Sequence, residues 1–576
     1  MLGRGAPYLA DRTGTDHAVV HLADTCRLIA GANAWPMIVS PKLLVSAGIV
    51  LITMAVTSCS SGSNASSPSG GNSPSTPPAA GQVTTGVDQP LTLNPAQLLA
   101  ATGGATPVAF AAPAHGKISY GAGGTMVYTP EKGFSGTDEL QVTTADAVKL
   151  YAVDTPPIAT VGGVAIEGSG DGSAIAAVPG SADEVYGLSD RGPNVDGRTD
   201  DEKVLPVPDF QPRINKYRLS DGTAAVEKTI GLTGTDGAPL RGLVDPQANT
   251  GETLVDINGA PLPTSDHGLD TEGLVALADG TFGISDEYGP FIVHFDAGGK
   301  ELERMSPFDG SLPRELSLRS PNQGMEGLTI TPDGSTLVGI MQSALKTPGL
   351  EGAAKSVAFT RIVTVNLATK AVSEYLYPLA NPQETKVAVS EITALTNTTF
   401  LLDERDGKLQ PGADKKVYVT DIAGATDVGP RASVPGTTYS ADAGGLQVGG
   451  KPIETAVGVT TDAEAITALK AKGITMASKT LKLDLGGLLT ELNAKGEFLG
   501  HDKVEGLGTP DGGNTLMIAN DSDFGLAGLA SEAPPFTLKP KTLANGIQDT
   551  GEFLVVDTTK LPARTQMTTV SIKVGS

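Results

Sequence analysis

Cysteine is nearly absent from this 576-residue chain, which holds only Cys26 and Cys59. No disulfide framework and no cysteine-based zinc site can be built from two such residues. Positive charge is also scarce. Lys and Arg number 41 against 64 Asp and Glu, for a net charge of -23. A surface of that sign repels a phosphate backbone, which argues against nucleic acid as a partner and suits the binding of cations. Long hydrophobic runs are missing too. LLVSAGIVLITMAV (43–56) has 14 residues, short for a membrane span. The chain contains no G-x-S-x-G, no H-E-x-x-H and no G-x-x-x-x-G-K-[ST], so a serine-hydrolase elbow, a zincin helix and a P-loop are excluded.

Glycine (72) and proline (40) are abundant, while charged residues make up only 18%. That balance suits many tight turns and short strands, and the length predicts two to four domains. The apolar run at 43–56 follows Lys42 and precedes Val-Thr-Ser-Cys (56–59). This is the architecture of a signal peptide, and its end resembles a bacterial lipobox in which Cys59 becomes the lipidated first residue. Met37 is better placed than Met1 to start such a signal. The reading is therefore an upstream extension over 1–36, a lipoprotein signal over 37–58, and a Ser/Gly/Pro-rich tether over 59–81 that cannot bury a core. It predicts an extracytoplasmic bacterial protein held to the membrane by a lipid anchor.

Residues 82–154 alternate apolar residues with turn clusters, which predicts antiparallel strands. They resemble Ig-like and cadherin-like modules of bacterial surface proteins, through Tyr128, Pro130, Phe134, Gly136 and Asp138. The resemblance implies a small β-sandwich acting as a spacer, with Asp138 capping a turn.

From 155 to 576 one pattern recurs. Glu-Gly-Leu or its variant begins at Glu272, Glu326, Glu391 and Glu505, separated by 54, 65 and 114 residues. Asp279-Gly280, Asp333-Gly334, Asn397-Thr398 and Asp511-Gly512 follow as hairpin turns. The next strand ends on polar groups. The last gap is twice 57, which leaves room for a degenerate copy, and Glu167 to Asp190 has the same plan with a longer turn. A period of 50–60 residues with several strands per unit predicts an all-β chain, a β-propeller of about six blades, with five and seven as the alternative counts, behind the small sandwich. Residues 462–472 predict one short helix.

The order D-x-E-G-L, D-E-Y-G-P, N-x-G-x-E-G-L, S-E-I, L-x-x-E-R-D and a late E-G-L with D-x-D-F resembles the phytase-like family. The matching residues include Asp270, Glu272, Asp286, Glu287, Asn322, Glu326, Gln342, Glu391, Glu404, Arg405, Glu505, Asp521 and Asp523. Equivalent residues of successive blades form rings about one axis, so these acids converge. Two acidic rings repel unless a cation sits between them, and oxygen donors favour calcium. The expected metal ligands are Glu272, Asp286, Glu287, Glu326, Glu391, Glu404, Glu505, Asp521 and Asp523. The resemblance implies calcium that polarises a phosphate and activates water, with a small-molecule ester as substrate. Arg191, Arg319, Arg405 and Lys503 are the expected substrate-binding cations. Glu272, Glu326, His267 and His501 are the expected catalytic groups. The alternatives are a non-catalytic ligand- or partner-binding propeller with structural calcium, and a carboxylic-ester hydrolase. Protein partners are left open.

Overall fold

The computed structural model describes residues 81–575. The upstream extension, the signal, the tether and Cys59 lie outside the described residues. Among the described residues, no helix is long and apolar enough to cross a membrane.

The repeats fold as four-stranded antiparallel units. Blade 1 comprises Ala174–Ala177, Glu184–Leu188, Arg213–Ser220 and Thr223–Gly231. Blade 2 comprises Thr271–Ala276, Phe282–Asp286, Ile292–Phe295 and Glu301–Met305. Blade 3 comprises Met325–Ile330, Thr336–Met341, Phe359–Asn366 and Val372–Pro378. Blade 4 comprises Ala388–Ala394, Thr399–Arg405, Lys415–Asp421 and Ser478–Asp484. Blade 5 comprises Val504–Gly508, Thr515–Asn520 and Glu552–Asp557, and takes Val148–Val153 as its outer strand. Five such units are present among the described residues, one fewer than the expected six. The 114-residue gap holds no extra blade. Residues 422–477 are an insertion between the last two strands of blade 4, and they carry the helix Asp462–Lys470.

Their inner strands form a closed ring. Thr271 of blade 2 donates its hydroxyl to the Ser189 carbonyl at the end of blade 1. Ser285 donates to the Glu326 carbonyl, linking blades 2 and 3, and Leu328 N–H donates to Glu391 Oε1 (3.3 Å), linking 3 and 4. Thr393 donates to the Leu507 carbonyl, and Gly172 lies against Asn520 of blade 5. Apolar residues fill the space between neighbouring blades. Leu188 and Ile214 meet Leu274 and Ile284, Ile292 meets Leu328 and Leu337, and Ile340 meets Ile392 and Leu402. Leu401 meets Leu507 and Leu516, and Val185 meets Met517 and Phe553. Burial of these alternating strand positions supplies the main driving force.

The sandwich differs from the expected 82–154 unit. Its larger sheet runs in the order Gln82–Gly86, Thr565–Gly575, Gly136–Ala145, Thr106–Phe110. The chain's last strand therefore completes the sandwich, and the strand at 148–153 completes the propeller. Asp138 accepts bonds from Ala114 N–H (3.1 Å), His115 N–H (2.9 Å) and Tyr128 O–H (2.9 Å), and so ties the loop at 111–115 to its strand in place of the expected turn at Gly136 and Asp138.

Arg361 anchors the insertion. Its guanidinium is fully buried and donates to Glu454 Oε1 (2.9 and 2.7 Å) of the helix Ile453–Val457 and to Glu374. Arg361→Ala leaves those carboxylates unpaired and is expected to cost about 3–5 kcal/mol in urea unfolding. A chain beginning at residue 155 lacks the outer strand of blade 5. It is expected to melt well below a chain beginning at Gln82, or to be recovered insoluble, which differential scanning fluorimetry after parallel expression decides.

Candidate active site at one end of the propeller axis

Glu272, Glu326 and Glu505 sit at irregularities in their inner strands, and in blade 4 Ser390 takes that place, ahead of Glu391. The pairing register shifts between Thr271 and Leu274, Met325 and Gly327, Val389 and Glu391, and Val504 and Gly506. A bulge re-aims a side chain out of strict alternation. The glycine after Glu272 and Glu326 has its own cause. A Cβ on Gly273 would lie 2.4 Å from Leu328 N, and one on Gly327 would lie 2.6 Å from Ile392 N. The next blade's backbone passes too close for a side chain.

Glu272, Glu326 and Glu505 line a cavity of roughly 960 Å³ at one end of the axis. Asp270, two residues before Glu272, and Glu287, at the end of the next strand, join them. Asp270, Glu272 and Glu287 are buried and each presents a carboxylate oxygen within 4.8 Å of the others. Gln342 Nε2 donates to Glu287 Oε1 (2.8 Å) and Glu326 Oε1 (2.7 Å). Glu326 Oε2 is buried without a hydrogen-bond partner.

This concentration of like charge perturbs Glu272, Glu287 and Glu326. Burial, then repulsion from Glu326, Glu287 and Asp270, pushes Glu272 well above the usual carboxylate range. Burial and repulsion from Glu326 and Asp270 do the same to Glu287. Burial, then Glu505, raises Glu326 to about 8. Such carboxylates hold either protons or a cation. The donor set fits calcium: it is made wholly of hard oxygens, it has an unpartnered carboxylate oxygen beside it, and it opens to a cavity that admits further oxygen ligands.

Cations stand around this floor, each with a carboxylate partner. Arg191 donates to Asp270 Oδ2 (2.8 Å), Glu252 Oε1 (2.7 Å) and Asn322 Oδ1 (3.0 Å). Arg405 pairs with Glu505 and donates to Ser390 Oγ (3.1 Å). Lys503 reaches Asp521 (3.1 Å) and Asp523 (2.6 Å), and Lys541 reaches Asp502 (2.9 Å) and Asp523 (2.6 Å).

A family profile described as the esterase-like activity of phytase matches residues 167–524, more than half of the chain. The chain belongs to the phytase-like family. A bacterial Ig domain profile matches residues 72–155. An uncharacterized secreted protein of Arthroderma benhamiae is 35% identical over 159 residues, 21% of this chain and 31% of that protein. The match spans about a third of that relative's length. Among solved structures, a DUF4221-family protein of Bacteroides vulgatus covers 74% of this chain and 99% of its own at 7% identity and a TM-score of 0.25. The Dos1 propeller covers 72% and 95% at 7% identity and a TM-score of 0.24.

Several residues expected at the phytase-like site lie elsewhere. Asp286 accepts from Asp270 N–H (3.3 Å) and Gly289 N–H, and so fixes the turn after its strand. Glu391 accepts from Ile392 N–H (2.9 Å) and Leu328 N–H, tying blade 4 to blade 3. Glu404 bonds Tyr377 O–H (2.7 Å) and Lys479 between blades, away from the cavity lining. Asp521 lies behind Lys503 and does not line the cavity, whereas Asp523 does. Arg319 is spent on the carbonyls of Tyr288 (2.6 Å), Ser317 (3.0 Å) and Ala248 (2.6 Å). His267 pairs with Asp236 (3.0 Å) outside the cavity lining. Glu167 is not at the axis either. The blade 1 counterpart is Asp171, held by Asn215 (2.7 Å) and Tyr217 (2.7 Å). Asp270 was legible from its spacing, since residues i and i+2 of a strand share a face. Nothing in the sequence marks Lys541 or Glu252.

His501 is fully buried between Asp549 (2.8 Å) and Glu552 (2.9 Å). Burial alone would lower its pKa, but the two carboxylates outweigh it and hold His501 at about 10. A folded-state pKa above the unfolded value gives stability that is complete below about pH 6.5 and is lost as pH rises through about 10. His501→Gln is therefore expected to lower the melting temperature most at pH 6 and progressively less towards pH 10. An equal loss at all pH values would remove the charged role.

Proposed function

We propose that this phytase-like protein is an extracytoplasmic hydrolase of phosphoric esters that works with bound calcium. The observation that carries the reading is the buried group Asp270, Glu272 and Glu287 at the floor of an open cavity, with Glu326 beside it. Asp270, Glu272 and Glu287 would hold the ion, and Glu505 faces the same cavity. Bound calcium supplies a Lewis acid towards a phosphoryl oxygen. Arg405 and Lys503 orient the ester from the wall opposite the cluster and offset charge that gathers on the leaving oxygen. Glu326 is the general base: Gln342 fixes one carboxylate oxygen and leaves the other to take a proton from water. The two histidines have no part in this reading, since both are engaged elsewhere.

The secreted relative supports a location outside the cytoplasm. Lipid attachment at Cys59 is part of the same proposal, and intact-mass analysis of membrane-extracted protein tests it.

The chain from Gln82 onward serves for the main test. Calorimetry is expected to show calcium binding, weakened by at least about tenfold, ~1.4 kcal/mol, in Glu287→Gln. Turnover of 4-nitrophenyl phosphate is expected with calcium and not with chelator, and Glu326→Gln is expected to abolish it while retaining most calcium affinity. Calcium binding without turnover of 4-nitrophenyl phosphate, bis(4-nitrophenyl) phosphate or 4-nitrophenyl acetate between pH 5 and 9 would leave a ligand-binding propeller with structural calcium. Turnover of the acetate alone would point to a carboxylic-ester hydrolase.

A further inference from the structure

Ten carboxylates and six basic side chains line the cavity, so its own charge is negative. The four inner cations are all committed. Arg191 serves Asp270 and Glu252, Arg405 serves Glu505, Lys503 serves Asp521 and Asp523, and Lys541 serves Asp502 and Asp523. Lys203 pairs with Asp196, and Lys539 is exposed. A substrate with several phosphate groups needs several uncommitted cations, because each dianion that lacks one faces surplus carboxylate. This cavity does not provide them.

The outer wall is of a different kind. Leu526–Ser531 and Thr537–Pro540 pair as a hairpin that lines the cavity through the apolar Ala527 and Leu529 beside the charged Glu532 and Lys539, while Leu526 packs into the core beneath. Leu409, one of the few large apolar residues that is exposed (38%), lines the same cavity. An acidic floor beneath an apolar wall selects a ligand with little charge at one end and an apolar group at the other.

We propose that the cavity takes phosphodiesters, which carry one negative charge, with an apolar substituent against Leu409 and Leu529, and that it discriminates against multiply phosphorylated molecules. This rests on the ester-hydrolase reading above. Hydrolysis adds the water oxygen to phosphorus and breaks the bond to one ester oxygen. The departing alcohol takes up a proton, and a phosphate monoester results. That product carries a second negative charge, so the surplus of carboxylates that tolerates the diester favours release of the product.

Calorimetry in saturating calcium, on the chain from Gln82, tests the preference with three probes: diphenyl phosphate, phenyl phosphate and fructose 1,6-bisphosphate. Diphenyl phosphate is expected to bind at least tenfold more tightly than either of the others. Leu529→Asp is expected to weaken it at least tenfold with calcium affinity unchanged. Leu409→Ser, at an exposed position that does not threaten folding, is expected to weaken it severalfold. Equal or tighter binding of the bisphosphate, indifference to both substitutions, or no binding of any probe would overturn the proposal. If diphenyl phosphate binds with the expected preference while bis(4-nitrophenyl) phosphate is not turned over, the hydrolase reading fails and the binding preference stands.

Discussion

Five inner strands crowd around one axis, and that crowding shapes the rest of the molecule. Backbone from neighbouring blades comes close enough at Gly273 and Gly327 that a single Cβ would collide with the next strand. The Glu before each glycine cannot turn back into this packed wall. The bulge sends it toward the axis, and the Leu after the glycine goes into the inter-blade core. The three-residue motif is thus one geometric solution written in three residues. It also makes the charge problem unavoidable, because rings of carboxylates are brought together with little water to separate them.

Place at the bulge decides the fate of each acid. The shift between Val389 and Glu391 matches that between Met325 and Gly327, so Ser390 stands where blade 3 has Glu326, and Glu391 stands where it has Gly327. There Glu391 accepts two backbone N–H bonds and lies outside the cavity lining, and blade 4 offers a serine in place of the carboxylate. Blade 1 departs further. There Asp171 is one methylene shorter, and Asn215, Tyr217 and Arg213 gather it into the blade. The cluster that can hold a cation is consequently one-sided. It is built from Asp270, Glu272 and Glu287 of blade 2, with Glu326 of blade 3 at its border. Lys503, just before the first strand of blade 5, and Lys541, in the segment between its second and third strands, line the same cavity.

Local signals made the blades legible. Asp-Gly turns recur at fixed offsets, and Gly280, Gly334 and Gly512 take the positive φ that such turns require (85°, 70° and 70°). Spacing was a poorer guide to the blade count. An insertion within a blade and an extra blade lengthen a gap alike, and only strand pairing separates them. Closure was hidden for a related reason. Val148–Val153 and Thr565–Gly575 look like ordinary strands, and nothing local shows that each completes a sheet begun at the other end of the chain. The site was partly legible, because Glu272, Glu287, Glu326 and Glu505 lie where the rings predicted. Among the expected residues that lie outside the cavity, Asp286 and Glu404 stand beside motif residues in sequence, while strand alternation and turns point them into the protein.

The pairing of every inner cation with a carboxylate also bears on how the cavity works. Arg405 and Lys503 can engage a bound anion only by loosening their hold on Glu505 and on Asp521 and Asp523. In a buried site such an exchange is costly for a neutral ligand and nearly balanced for an anionic one, which replaces one negative partner by another. A carboxylate released in this way needs a new partner, and a divalent ion at the neighbouring cluster provides positive charge within the same cavity. On the proposed reading, anion binding and cation binding would be coupled through charge within the one cavity, each favouring the other, as linkage between two sites requires.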